Sequence, residues 1–159
     1  MSDNFDKAFK LHQEGKLTAA RDLYKNILNI EPLNHEVWDL LGVLYMQAEK
    51  YDDALSCINK AIEISPKEYY LENLGKLFQR TKQFDKAIEI YKVLTKSFPN
   101  NYENWFSLAM SYKNNSDWDM AKKSYYKAIE INPQSHESYY NLAYLCFNDN
   151  KPQEAVKCY

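Results

Sequence analysis

Large apolar side chains recur along this chain at helical spacing, interrupted by small residues at fixed points. Trp38, Leu41 and Tyr45 enclose Gly42, and Leu71, Leu74 and Phe78 enclose Gly75. Trp105, Leu108 and Tyr112 enclose Ala109, and Tyr139, Leu142 and Cys146 enclose Ala143. Intervals of three, four and seven residues put each set on one face of a helix. The glycine or alanine in the middle admits a close neighbour. A second stripe follows each of the first, pairing Ala20 with Tyr24, Ala54 with Ile58, Ala87 with Tyr91, Ala121 with Tyr125 and Ala155 with Tyr159. Pro32, Pro66, Pro99 and Pro133 close the units at intervals of 34, 33 and 34 residues. A constant period of this length marks an array of one supersecondary unit. The pattern predicts first helices over 3–14, 35–48, 69–81, 102–114 and 136–148. Second helices are expected over 17–30, 51–64, 84–97 and 118–131, with a partial one from about 152. Turns such as Glu14-Gly15-Lys16 and Asn114-Asn115-Ser116-Asp117 supply breakers and caps.

These residues resemble the tetratricopeptide repeat (TPR), whose signature is W-x2-L-G-x2-Y, then A-x3-F, then P. The resemblance covers the whole chain as four full units and a shortened fifth, in one domain over 1–159, divided near 1–34, 35–67, 68–101, 102–135 and 136–159. The first unit fits least, with Asn4 and Lys7 at the Trp and Leu sites. A polar first unit suits the exposed end of a solenoid. The resemblance implies an all-α, right-handed superhelical solenoid of antiparallel helix pairs, with the first helices lining its concave wall.

Composition removes several function classes. The net charge is −2, so there is no basic footprint for nucleic acid. No apolar run is long enough to span a membrane, and the polar start Met1-Ser2-Asp3-Asn4 is no signal peptide. Cys57, Cys146 and Cys158 form no C-x-x-C pair, which disfavours structural zinc and a disulfide framework and points to a reducing, cytoplasmic setting. Gly15, Gly42 and Gly75 cannot make a phosphate loop. His12, His35 and His136 are scattered and read as surface or boundary residues, and the cysteines read as packing. No catalytic residue, metal or cofactor is expected, and the chain reads as a non-enzyme.

A solenoid without a catalytic centre works through its extended inner surface. Helical geometry places that surface one, two, five and eight residues after each Trp site. The first offset gives Phe5, Asp39, Glu72, Phe106 and Tyr140, and the last gives His12, Met46, Gln79, Lys113 and Phe147. Two features select candidate peptide-binding residues. Asn73 and Asn141 share the second offset, where the resemblance to O-linked N-acetylglucosamine transferases implies an asparagine ladder holding peptide backbones. Asp6, Leu40 and Ser107 interrupt that ladder. Phe106, Met110, Tyr140, Tyr144 and Phe147 gather apolar surface on the fourth and fifth units, with Lys76 on the third. The two-carboxylate clamp of chaperone-binding TPR domains is not expected, because Glu72 and Asp39 interrupt the basic cluster it needs.

The leading reading is a non-catalytic module that binds a peptide or protein segment in the concave groove. The alternatives are the N-terminal recognition arm of a larger glycosyltransferase or methyltransferase, and a self-assembling scaffold. The short last helix, Pro152 to Tyr159, leads us to expect a fragment of a longer protein whose exposed C-terminal face pairs with another copy.

Overall fold

A computed structural model describes residues 3–148. Among them the chain forms nine α-helices and no strand. These are α1 (Asp3–Gln13), α2 (Leu17–Ile30), α3 (His35–Gln47), α4 (Tyr51–Ile64), α5 (Glu68–Arg80), α6 (Phe84–Ser97), α7 (Tyr102–Asn114), α8 (Trp118–Ile131) and α9 (His136–Asn148). Every helix end lies within about a residue of the position that the repeat pattern predicts. The expected tenth helix, with Ala155, Cys158 and Tyr159, lies outside the described residues, as does the face it was to leave open. The chain divides within α5 into two compact units, Met1–Leu77 and Phe78–Tyr159.

Small residues set the helix spacing. Ala20, Ala54, Ala87 and Ala121 are completely buried, as are the large residues four positions on, Tyr24, Ile58, Tyr91 and Tyr125. In the first unit, α3 packs on α4 through Gly42. A Cβ built there would lie 2.6 Å from Ile58 Cγ1 and 3.3 Å from the Ala54 carbonyl oxygen. The flexible end of Ile58 could move, but the α4 backbone cannot without separating the pair.

One turn is built four times. Each first helix that leads into a described second helix ends in a left-handed residue, at Gly15 (φ 73°), Glu49 (58°), Lys82 (57°) and Ser116 (64°). The next amide reaches back to the carbonyl five residues earlier, Lys16 to Leu11, Lys50 to Tyr45, Gln83 to Phe78 and Asp117 to Tyr112, at 2.8–2.9 Å. The left-handed residue's own amide bonds three residues back, to His12, Met46, Gln79 and Lys113. This double closure is the Schellman motif, which satisfies carbonyls that a helix end leaves open. Only the first turn uses the residue that tolerates the conformation freely.

The turns between repeats are held differently. Trp38 Nε1 donates to the Pro32 carbonyl at 2.9 Å, and Trp105 Nε1 to the Pro99 carbonyl at 2.8 Å. The half-buried indole thus satisfies the carbonyl of the proline six residues before it. Asn34 and Asn101 cap α3 and α7 by accepting the amides of Val37 and Glu103.

Two substitutions separate spacing from turn conformation. Gly42→Ala overpacks the α3–α4 contact and should lower stability by roughly 1–3 kcal/mol in urea denaturation. Ser116→Gly relieves a left-handed side chain and should raise it by roughly 0.5–1 kcal/mol. A stabilised Gly42→Ala would contradict the close contact, and a destabilised Ser116→Gly would contradict the turn.

Candidate functional site

The faces predicted to be open are partly closed by polar cross-links between successive first helices. In the first unit, Asn73 Nδ2 on α5 donates to both carboxylate oxygens of Asp39 on α3, at 3.0 and 2.9 Å. In the second unit, Gln79 Nε2 donates to the Ser107 carbonyl at 2.9 Å and to Ser111 Oγ at 2.8 Å. Lys113 Nζ donates to Asn141 Oδ1 at 2.6 Å, and Asn141 Nδ2 donates to the Glu137 carbonyl at 2.8 Å. The second offset of three successive repeats therefore receives a bond from the repeat before it or gives one back.

Asp39 and Met46, placed on the open wall by helical geometry, are buried, with 4% and 6% of their surface exposed. The buried arc of α3 is wider than the Trp-site stripe, because Asp39 also meets the neighbouring first helix. His12 is buried too, rather than a surface or boundary residue. Its Nδ1 lies 3.3 Å from Tyr24 Oη and its Nε2 3.2 Å from Gln47 Oε1. Burial lowers its pKa, opposed by the Gln47 hydrogen bond. His35 Nδ1 lies 2.7 Å from Tyr70 Oη. Cys57 and Cys146 are buried free thiols, and burial raises the Cys57 thiol to about 11. A thiol held that high is protonated at neutral pH and is a poor nucleophile. Among the described residues no three His, Cys, Asp or Glu side chains gather as a metal site.

The predicted site residues separate into two places. Asn73 and Lys76 belong to the first unit, where Asn73 is half-buried against Asp39 and Lys76 is exposed. In the second unit, Phe106, Met110, Tyr140 and Asn141 line one open cavity of about 360 Å³ between α7 and α9, joined by His136 and Glu137. Phe106 is positioned from behind by the rings of Tyr102 and Tyr125, with centroids 5.9 and 5.8 Å away. Tyr140, Tyr144 and Phe147 project from α9 with 63%, 52% and 70% of their surface exposed. Lys113 lies 5.7 Å from the centroid of the Tyr144 ring. Lys113 shares the offset of Phe147, so its place on this wall was legible, but its link to Asn141 required the structure.

Family models of the tetratricopeptide repeat match residues 11–76, 69–101, 102–135 and 124–157. The chain belongs to the tetratricopeptide repeat family. Among curated relatives, it is 25% identical over 114 residues to protein bimA of Emericella nidulans, covering 71% of this chain and 14% of that protein. It is 27% identical over 150 residues to the BBSome complex member BBS4 of Mus musculus, covering 94% and 29%. It is 26% identical over 145 residues to the human protein O-mannosyl-transferase TMTC1, covering 88% and 16%. The chain thus spans less than a third of the length of each. Among solved structures, MamA 41-end from Desulfovibrio magneticus RS-1 superposes with a TM-score of 0.90 at 15% identity, covering 99% of this chain and 92% of that one. YrrB, a TPR protein with an unusual peptide-binding site, superposes with a TM-score of 0.80 at 18% identity, covering 98% and 80%. These two likenesses establish the all-α TPR solenoid fold. No helix among the described residues is long and apolar enough to cross a membrane.

The burial of the Asp39 carboxyl predicts a pH dependence. Desolvation raises the Asp39 carboxyl to about 6 from 3.8, against the opposing pull of the Asn73 hydrogen bond and Lys76. The folded chain therefore binds this proton more tightly than the unfolded one. Its contribution is complete below about pH 4 and is lost as pH rises through about 6, on the order of 1–3 kcal/mol. Asp39→Asn keeps an acceptor for Asn73 and removes the charge. The difference in unfolding free energy between variant and wild type should grow in the variant's favour from pH 4 to 7, and a constant difference would refute it.

Proposed function

We propose that this TPR chain is a non-catalytic interaction module that binds a segment of another protein along the α7–α9 wall. The observation that carries this reading is the open cavity between Phe106, Met110 and Tyr140, continued along α9 by Tyr144 and Phe147. Three large rings held more than half exposed on one helix face retain apolar area that an aromatic-seeking partner can cover. A cavity of this size takes one or two side chains, which suits an extended or helical peptide. The reading is supported by YrrB, whose likeness in fold comes with a peptide-binding site of its own. Asn73 and Asn141 serve chiefly as rungs between first helices in this reading, with Asn141 also presenting its amide to the cavity.

A second reading is that the module is a recognition arm within a larger protein. It is favoured by the small share of each relative that the chain covers, including the O-mannosyl-transferases TMTC1 and TMTC3 at 16% and 17% of their length. Both readings assign the same wall to binding, and in both the module is cytoplasmic.

Tyr140→Ala with Tyr144→Ala should weaken partner binding by about 2 kcal/mol or more, roughly thirtyfold, with little change in unfolding midpoint. The control is Val93→Ala with Tyr126→Ala, which removes exposed side chains from the second helices α6 and α8. Titration of an affinity-isolated partner against the three proteins decides. Loss of binding in the control alone would place the site on the opposite face.

A further inference from the structure

The cavity between α7 and α9 borders a cation that, among the described residues, has no carboxylate to balance it. Lys16, Lys60, Lys67, Lys122 and Lys127 each reach an acidic side chain at 2.6–3.5 Å. Lys113 is half-buried, and among the described residues its ammonium meets only the Asn141 amide oxygen and the face of Tyr144. An amide oxygen and a ring quadrupole orient an ammonium without neutralising it. Burial lowers its pKa. A cation kept in this state gains when an anion arrives, because the added partner offsets desolvation already incurred. Asn141 sets the position. It lines the cavity, holds the ammonium at 2.6 Å, and is itself anchored to the Glu137 carbonyl.

We propose that Lys113 and Asn141 form an anion-binding subsite of the α7–α9 wall, and that the partner segment carries a carboxylate beside a large apolar side chain. This inference rests on the reading of that wall as the binding surface and adds the chemistry of what it takes. The apolar side chain enters between Phe106, Met110 and Tyr140, while the carboxylate reaches the Lys113 ammonium past Asn141. One side chain separates the two places. In an extended segment alternate side chains share a face, so the two groups are next but one. Glu137, one turn before Asn141 on α9, also lines the cavity, and its carboxylate repels an acid placed against it.

The probes are two fluorescein-labelled octapeptide pools built on alanine, each with Leu, Met, Phe or Trp at one central position. One pool carries Glu at the two following positions and the other carries Gln. Fluorescence anisotropy with the full chain should show the Glu pool binding roughly tenfold more tightly, a preference that narrows as salt rises. Lys113→Met should erase the preference and Lys113→Arg should retain it, with circular dichroism confirming that both fold. Equal binding of the two pools by the wild type, or a preference that survives in folded Lys113→Met, overturns the subsite. Tyr140→Ala separates this from the underlying reading. If it weakens both pools while no Glu preference exists, the wall binds but the subsite is wrong. If it changes neither pool, or if neither pool binds at about 1 mM wild-type protein, the wall itself is the wrong surface and the subsite falls with it.

Discussion

Everything in this molecule follows from how closely one helix can approach the next. Gly42 lets α3 lie against Ile58 and the backbone of α4, and the fully buried alanines at 20, 54, 87 and 121 recur at the same point of their own units. A helix pair this tight cannot rotate without driving a side chain into a backbone. Its outward faces are therefore determined once its inward faces are. That rigidity lets a surface such as the α7–α9 wall hold large rings in place without a bound partner.

Spacing of this kind is legible because it is written in residue size. Small and large residues recur at one period, and helix ends follow from where the period is punctuated by proline. The left-handed turn residues were not legible in the same way. Gly15 announces its conformation, but Glu49, Lys82 and Ser116 adopt it because two backbone hydrogen bonds hold them there. Those bonds return to the helix before, and they hold each turn against the modest cost that its side chain adds.

The candidate site shows the same division. The rings on α9 could be placed by counting around a helix, and the structure leaves Tyr140, Tyr144 and Phe147 exposed as that count requires. Counting fails where a first helix meets its neighbour as well as its own partner. Asp39 and Met46 disappear into the first unit for that reason, and His12 does so by finding Tyr24 and Gln47. A single-helix projection has no term for the second contact. It also cannot tell an asparagine that waits for a ligand from one already engaged, which is the case for Asn73 with Asp39 and for Asn141 with Lys113.

The cross-links between first helices differ from one another in chemistry. One is a carboxylate with an amide donor, one an amide with a carbonyl and a hydroxyl, and one an ammonium with an amide oxygen. Repeats built to one plan invite mispairing as they fold, since each stripe fits any other. Here a slipped pairing would strand Asp39 without its donor or set Lys113 against a surface lacking the amide. Near-identical scaffolding thus carries unlike fasteners, and each repeat is given an address that its apolar face alone could not supply.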